Sequence, residues 1–203
     1  MKDNRVKKMV QMAILTAIII IMAFTPLGYL KIGVVSITFL MLPVVLGSIV
    51  MGPGYGAVLG GIFGLTSFVQ CFGMDWFGTT IFGLNPFYAF IVCMLPRILM
   101  GLLSGLIFKG LYRIDKTKVV SFAVSSISGA LLNTGLFTLT FVLLYGSNQE
   151  LIRALIDQNY ISLGTIWALV GIFITVNLIW EAIICLVVGT PLCKALYRFK
   201  PEK

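Results

Sequence analysis

Arg97 is the residue whose chemistry most constrains this chain. It is the only charge in an apolar run from Phe87 to Phe108, and it sits in Leu95-Pro96-Arg97, directly after a proline. A central arginine in a membrane helix costs roughly 2.5 to 3.5 kcal/mol by insertion scales, so either a protein carboxylate or an anionic ligand must compensate it. The protein candidate is Glu181. Arg97 lies 12 residues from Lys109 (109 − 97), and Glu181 lies 13 from Lys194 (194 − 181). At about 1.5 Å per residue, both sit roughly 18 to 20 Å from those basic flanks and can pair. Asn85, Asn133 and Asn177 all fall on the far side of Arg97 from the flanks. Those amides also need partners in a dry interior, and a polar column of this kind suits a small polar ligand better than one structural pair.

The same inventory argues against catalysis. The chain has no histidine, no G-x-x-x-x-G-K-[ST] loop, no G-x-S-x-G elbow and no paired intramembrane carboxylates, so it reads as a binding protein and not an enzyme. Cys71, Cys93, Cys185 and Cys193 are too scattered for a C-x-x-C pair, so neither a metal site nor a disulfide framework is expected.

The elements that position these groups are membrane spans. With 203 residues, 11% charged and a mean hydropathy of +1.05, the chain is too apolar for a soluble domain. The net charge of +8 lies between spans, where it reports topology; nucleic acid is not implied. Residues 1–8 form a basic head, and six uncleaved spans are predicted: about 9–30, 34–51, one beginning after Gly52-Pro53-Gly54, 87–108, 119–145 and 163–193. All of residues 1–203 form one transmembrane domain. Gly56, Gly60 and Gly64 recur every four residues, a smooth ridge suited to close helix contact.

Six spans put both termini on one side. Lys2, Arg5, Lys7, Lys8, Lys109, Arg113, Lys116, Lys118, Lys194, Arg198, Lys200 and Lys203 share that side, 12 of the 15 basic residues, which makes it the cytoplasm by the positive-inside rule. Residues 26–33, 70–86 and 146–162 then form three outer loops that can close over one cavity. The second carries Trp76 and Phe77, read either as an interfacial belt or as a ligand-covering lid. In the first span Ala13 and Ala17 lie one turn apart on one face, a spacing that serves packing within the protein or approach of another helix.

Taken together, the six spans with both ends inside, Ala13-x-x-x-Ala17 and Gly52-Pro53-x-Tyr55-Gly56 resemble the substrate-binding S components of energy-coupling factor (ECF) vitamin transporters over essentially the whole chain. Asn85-Pro86-Phe87 leading to Pro96-Arg97 looks most like the pantothenate-specific members. The resemblance implies a high-affinity vitamin-binding subunit in a bacterial cytoplasmic membrane. Its partners would be a transmembrane coupling subunit and two ATPase subunits; ATP is used by those partners, with no cofactor in this chain. It also implies that Arg97 meets a substrate carboxylate, that Asn133 bonds amide or hydroxyl groups with Asn85, Asn177, Trp76 and Phe77 nearby, and that Ala13 and Ala17 contact the coupling subunit. Nicotinate, biotin, thiamin or riboflavin remain alternative ligands, Glu181 favouring a cation such as thiamin. A stand-alone secondary transporter and a purely structural membrane subunit are the competing classes.

Overall fold

Where the apolar runs break decides where the elements end. The computed structural model describes residues 2–32, 35–115, 119–157, 167, 170–171 and 173–197. The basic head and the first apolar run form one helix, α1 (Lys2–Ala23). It stops short of the expected residue 30 because Pro26 supplies no donor, and the chain turns into strand β1 (Tyr29–Ile32). Strand β2 (Val35–Thr38) pairs with β1 antiparallel, Tyr29 opposite Thr38 and Ile32 opposite Val35. The span expected over 34–51 is therefore not one helix. Residue 34 lies outside the described residues, the β-branched residues that follow pair as a hairpin, and helix α2 covers only Met41–Met51. Ten of its 11 residues are buried, as expected of a helix apolar all round.

Gly52, at a φ of 110°, makes the sharp link to α3 (Pro53–Gln70), whose first-turn proline needs no N–H partner. The aromatic stretch after it, expected to be loop, contains helix α4 (Trp76–Leu84). Asp75 caps that helix, its Oδ2 accepting from the Gly78 N–H at 3.0 Å. Helix α5 (Pro86–Ile114) follows at once, then α6 (Val119–Tyr145). The third loop, expected over residues 146–162, holds α7 (Gln149–Asp157), capped by Asn148 Oδ1, which accepts from the N–H groups of Glu150 and Leu151 at 3.0 and 3.1 Å. The last helical stretch, α8, has four contiguous pieces, Phe173–Leu178, Ile179–Ile184, Cys185–Gly189 and Thr190–Leu196, the first and third π-helical. The rest of that loop and the expected start of the sixth span at residue 163 lie outside the described residues. So do Lys116, Lys118, Arg198, Lys200 and Lys203.

Among the described residues, four helical segments are long and apolar enough to cross a membrane: Val6–Ala23, Pro86–Ile114, Val119–Tyr145 and Ile179–Leu196. The architecture is thus helical and multi-pass, with one short hairpin.

The glycine ridge fixes how α3 meets α5. A Cβ on Gly56 would collide with the Gly101 carbonyl oxygen, and one on Gly60 with that of Arg97. One on Gly64 would lie 2.9 Å from that of Cys93. Each step of four residues along α3 meets a step of four back along α5, so the helices run antiparallel in near backbone contact. Ser48 Oγ adds a 2.6 Å hydrogen bond to the Gly101 carbonyl. One core cluster joins Leu15, Ile19 and Ala23 of α1 to α2, α3 and the inner part of α5. A second, at the other end, joins α4, α6 and α7 through Ile81, Phe141, Tyr145 and Leu151.

Candidate ligand-binding site

Pro96 creates the local problem that Arg97 solves. Lacking an N–H, it leaves the Val92 carbonyl without its helical partner, and Arg97 Nη1 donates to that oxygen at 2.7 Å. The guanidinium carbon lies 4.8 Å from the Phe137 ring centre and 5.5 Å from that of Phe63, so two aromatic rings also stabilise the charge. Arg97 Nε is buried and has no hydrogen-bond partner.

Glu181 does not pair with Arg97, although both line one cavity. The carboxylate, 1% exposed, is held by three donors. Thr134 Oγ1 donates at 2.8 Å, the Thr38 backbone N–H at 3.3 Å and Asn133 Nδ2 at 3.4 Å. Two come from α6 and one from the end of β2, so Glu181 ties the hairpin to α6 and α8. The equal depths of the two charges in the sequence are real, but hydrogen bonds satisfy the carboxylate while the arginine keeps capacity to spare.

The shared cavity measures about 120 Å³. Tyr29 and Thr38 of the hairpin form one side, Ser67 and Gln70 of α3 a second, Phe77 and Ile81 of α4 a third, and Asn133 and Asn177 complete it from α6 and α8. Gln70 Nε2 donates to the Ala23 carbonyl at 2.6 Å, fixing the end of α1, and the Tyr29 hydroxyl lies 3.5 Å from Ser67 Oγ. Burial raises the Tyr29 phenol above its ordinary pKa, which keeps it a neutral hydrogen-bonding group. The Oδ1 atoms of Asn133 and Asn177 are buried without a partner. Arg97, Asn133 and Asn177, each with a buried polar atom left without a partner, thus line the same cavity, a pattern matched by a ligand with an acidic group and hydroxyl or amide donors.

A family model described as "ECF transporter, substrate-specific component" matches residues 7–193. The chain belongs to this family. Two relatives are similar over most of their length. A "Pantothenate transporter PanT" of Leuconostoc mesenteroides subsp. mesenteroides is 31% identical over 150 residues, covering 70% of this chain and 72% of that protein. A "Pantothenic acid transporter PanT" of Lactococcus lactis subsp. cremoris is 27% identical over 172 residues, covering 79% and 78%. This S component is accordingly a multi-pass membrane subunit that binds substrate for a transporter, a role that requires no catalysis.

The residues expected in the site divide into two groups. Arg97, Asn133, Asn177 and Phe77 all line the cavity. Asn85 does not: it caps α5, its Oδ1 accepting from the Phe87 and Tyr88 N–H groups at 3.1 Å each. Trp76 packs against the second core cluster and also stays off the cavity wall. Ala13 and Ala17 are exposed, because the face of α1 that packs inward is Leu15, Ile19 and Ala23. Two positions along a helix is about 200° around it, so the alanine pair points away from the protein's own bundle.

Several contributors escaped the sequence reading. Thr134 left no signal beyond being next to Asn133. Tyr29 and Thr38 enter only because the hairpin lies between Ser67 of α3 and Glu181 of α8, and Gln70 enters from the last turn of α3. Tyr145 anchors α4 from outside the cavity, its hydroxyl lying 2.8 Å from the Ile81 carbonyl and 3.0 Å from that of Asn85. Cys71 and Cys93, scattered in the sequence, are brought together with their sulfur atoms 3.8 Å apart in the cavity wall.

Proposed function

We propose that this S component binds pantothenate from outside a bacterial cytoplasmic membrane and passes it inward within an ECF transporter. One observation carries the reading: Arg97 faces a polar cavity without a carboxylate partner, although a buried carboxylate lines the same cavity. In this reading the guanidinium takes the vitamin carboxylate. The two free asparagine oxygens, on Asn133 and Asn177, receive its hydroxyl and amide hydrogens. Phe77 covers the ligand as part of α4. The names of the two relatives support the same ligand. Thiamin fits less well, because Glu181 already accepts three hydrogen bonds and Arg97 repels a cation.

The reading includes six spans with both ends in the cytoplasm, in line with the positions of the basic residues. It also places Ala13 and Ala17 against a membrane coupling subunit, which works with two ATPase subunits that use the ATP. The exposure of both alanines supports that assignment. The chain itself needs no cofactor and acts as no enzyme.

The test is calorimetric titration of the purified chain with pantothenate, nicotinate, biotin, riboflavin and thiamin, together with mass spectrometry of any small molecule that co-purifies. Submicromolar binding of pantothenate above the rest is the expected result. Tight binding of thiamin with none of pantothenate would overturn the assignment.

A further inference from the structure

Cys71 and Cys93 come from different elements, the turn after α3 and the outer half of α5, yet their Sγ atoms lie 3.8 Å apart. Both thiols are free and buried, at 3% and 5% exposure, and both line the cavity. Cys93 precedes Arg97 by four residues, so the pair sits one helical turn from the guanidinium on the same face of α5. Cys71 Sγ also lies 3.4 Å from the Ser67 carbonyl, which helps to fix its direction. The remaining cysteines provide an internal contrast: Cys185 and Cys193 are equally buried but do not line the cavity.

We propose that Cys71 and Cys93 form a dithiol site in the wall of the ligand cavity, oxidised by a small peroxide to an intramolecular disulfide and shielded whenever the cavity is occupied. The first thiol, as thiolate, attacks one peroxide oxygen; the O–O bond breaks, and a sulfenic acid and water result. The second thiolate attacks the sulfenic sulfur and displaces its oxygen as a second water. The sum is two thiols and one hydrogen peroxide giving one disulfide and two waters, with sulfur oxidised and peroxide oxygen reduced. Forming the bond brings the sulfurs from 3.8 Å to about 2.0 Å. The adjustment falls on the turn at Cys71, where the chain is out of helix and Gly73 adopts a φ of 105°. The route for the oxidant is the cavity itself, so a ligand whose acidic end lies on Arg97 blocks it. The shielding rests on the ligand reading above; the disulfide does not.

The experiment treats the reduced full-length chain in nanodiscs with hydrogen peroxide and maps the cysteines by mass spectrometry, with and without saturating pantothenate. A Cys71–Cys93 link is expected, absent in Cys71→Ser and in Cys93→Ser, with Cys185 and Cys193 left as thiols. Pantothenate should slow the link at least tenfold. Separate over-oxidation of Cys71 and Cys93, or no reaction at either while the protein remains folded by circular dichroism, would overturn the dithiol site. An unchanged rate in protein shown by calorimetry to have bound pantothenate would overturn the shielding. Reduced protein that binds no pantothenate refutes the vitamin assignment instead, and the link is then scored on the ligand-free samples alone.

Discussion

Replacing Arg97 by alanine should remove two interactions, one seen in the structure and one proposed. One is the hydrogen bond to the Val92 carbonyl, which Pro96 has deprived of any other partner. Leaving that oxygen unsatisfied costs about 1 to 3 kcal/mol of stability, with or without ligand. The other, in the proposed function, is the charge-assisted contact with a vitamin carboxylate, worth about 1.5 to 3 kcal/mol. At about 1.4 kcal/mol per decade, that is roughly a tenfold to a hundred-and-fifty-fold loss of affinity. Arg97→Lys should recover only part of it, because one ammonium cannot hold the Val92 oxygen and present a planar fork to the ligand together. Binding is read by calorimetry and stability by thermal unfolding without ligand, so that the two losses are scored apart. Because Glu181 is held by Thr38, Asn133 and Thr134, adding Glu181→Ala to Arg97→Ala should make both quantities worse. A double variant that binds pantothenate like the parent would show that the two charges act as a pair and would refute this reasoning.

Gly60→Ala should lower stability by about 1 to 3 kcal/mol and weaken ligand binding as well, since its methyl group meets the carbonyl of Arg97 itself; thermal unfolding and calorimetry on the same sample check both effects. Ala13→Trp or Ala17→Trp should leave vitamin binding unchanged and abolish ATP-driven uptake in the assembled transporter, and loss of binding by the isolated chain would instead mean that this face packs internally. Tyr145→Phe should loosen the α4 cover by about 0.5 to 1.5 kcal/mol, read as a severalfold faster ligand dissociation in stopped-flow measurements with little change in the association rate.

Much of the candidate site is legible because its signals are single residues that violate the composition around them. A lone arginine in an apolar run and a glutamate at matching depth mark a shared polar level whatever the helix packing. The glycine ridge was equally plain, since small residues every fourth position have one packing use. What stayed hidden depended on partners distant in sequence. Depth alone groups Asn85 with the cavity amides, but an asparagine before Pro-Phe-Tyr is a helix cap first. Asp75 before Trp76 carried the same capping signal within a stretch dominated by aromatics and glycines. The hairpin is hidden because Val35-Ser36-Ile37-Thr38 runs into an apolar helix, and hydropathy merges the two. The Cys71–Cys93 contact has no spacing signature, since it depends on how the turn after α3 settles on α5.

The antiparallel seam of Gly56, Gly60 and Gly64 against Gly101, Arg97 and Cys93 also determines which parts of the molecule are able to move. Backbones that meet without intervening side chains have no rotamers to absorb sliding, so α3 and α5 behave as one rigid body, and Arg97 is fixed to it. Opening of the cavity therefore falls to the pieces outside that seam: the hairpin, tethered through Thr38 to Glu181, and α4, packed through Ile81 and tethered through Tyr145. A distance label on α3 paired with one on α5 should stay constant through a binding cycle, while the same α5 label paired with one on α4 should not. In the proposed function, Arg97 is then the stationary jaw of a clamp whose moving jaws are the hairpin and α4.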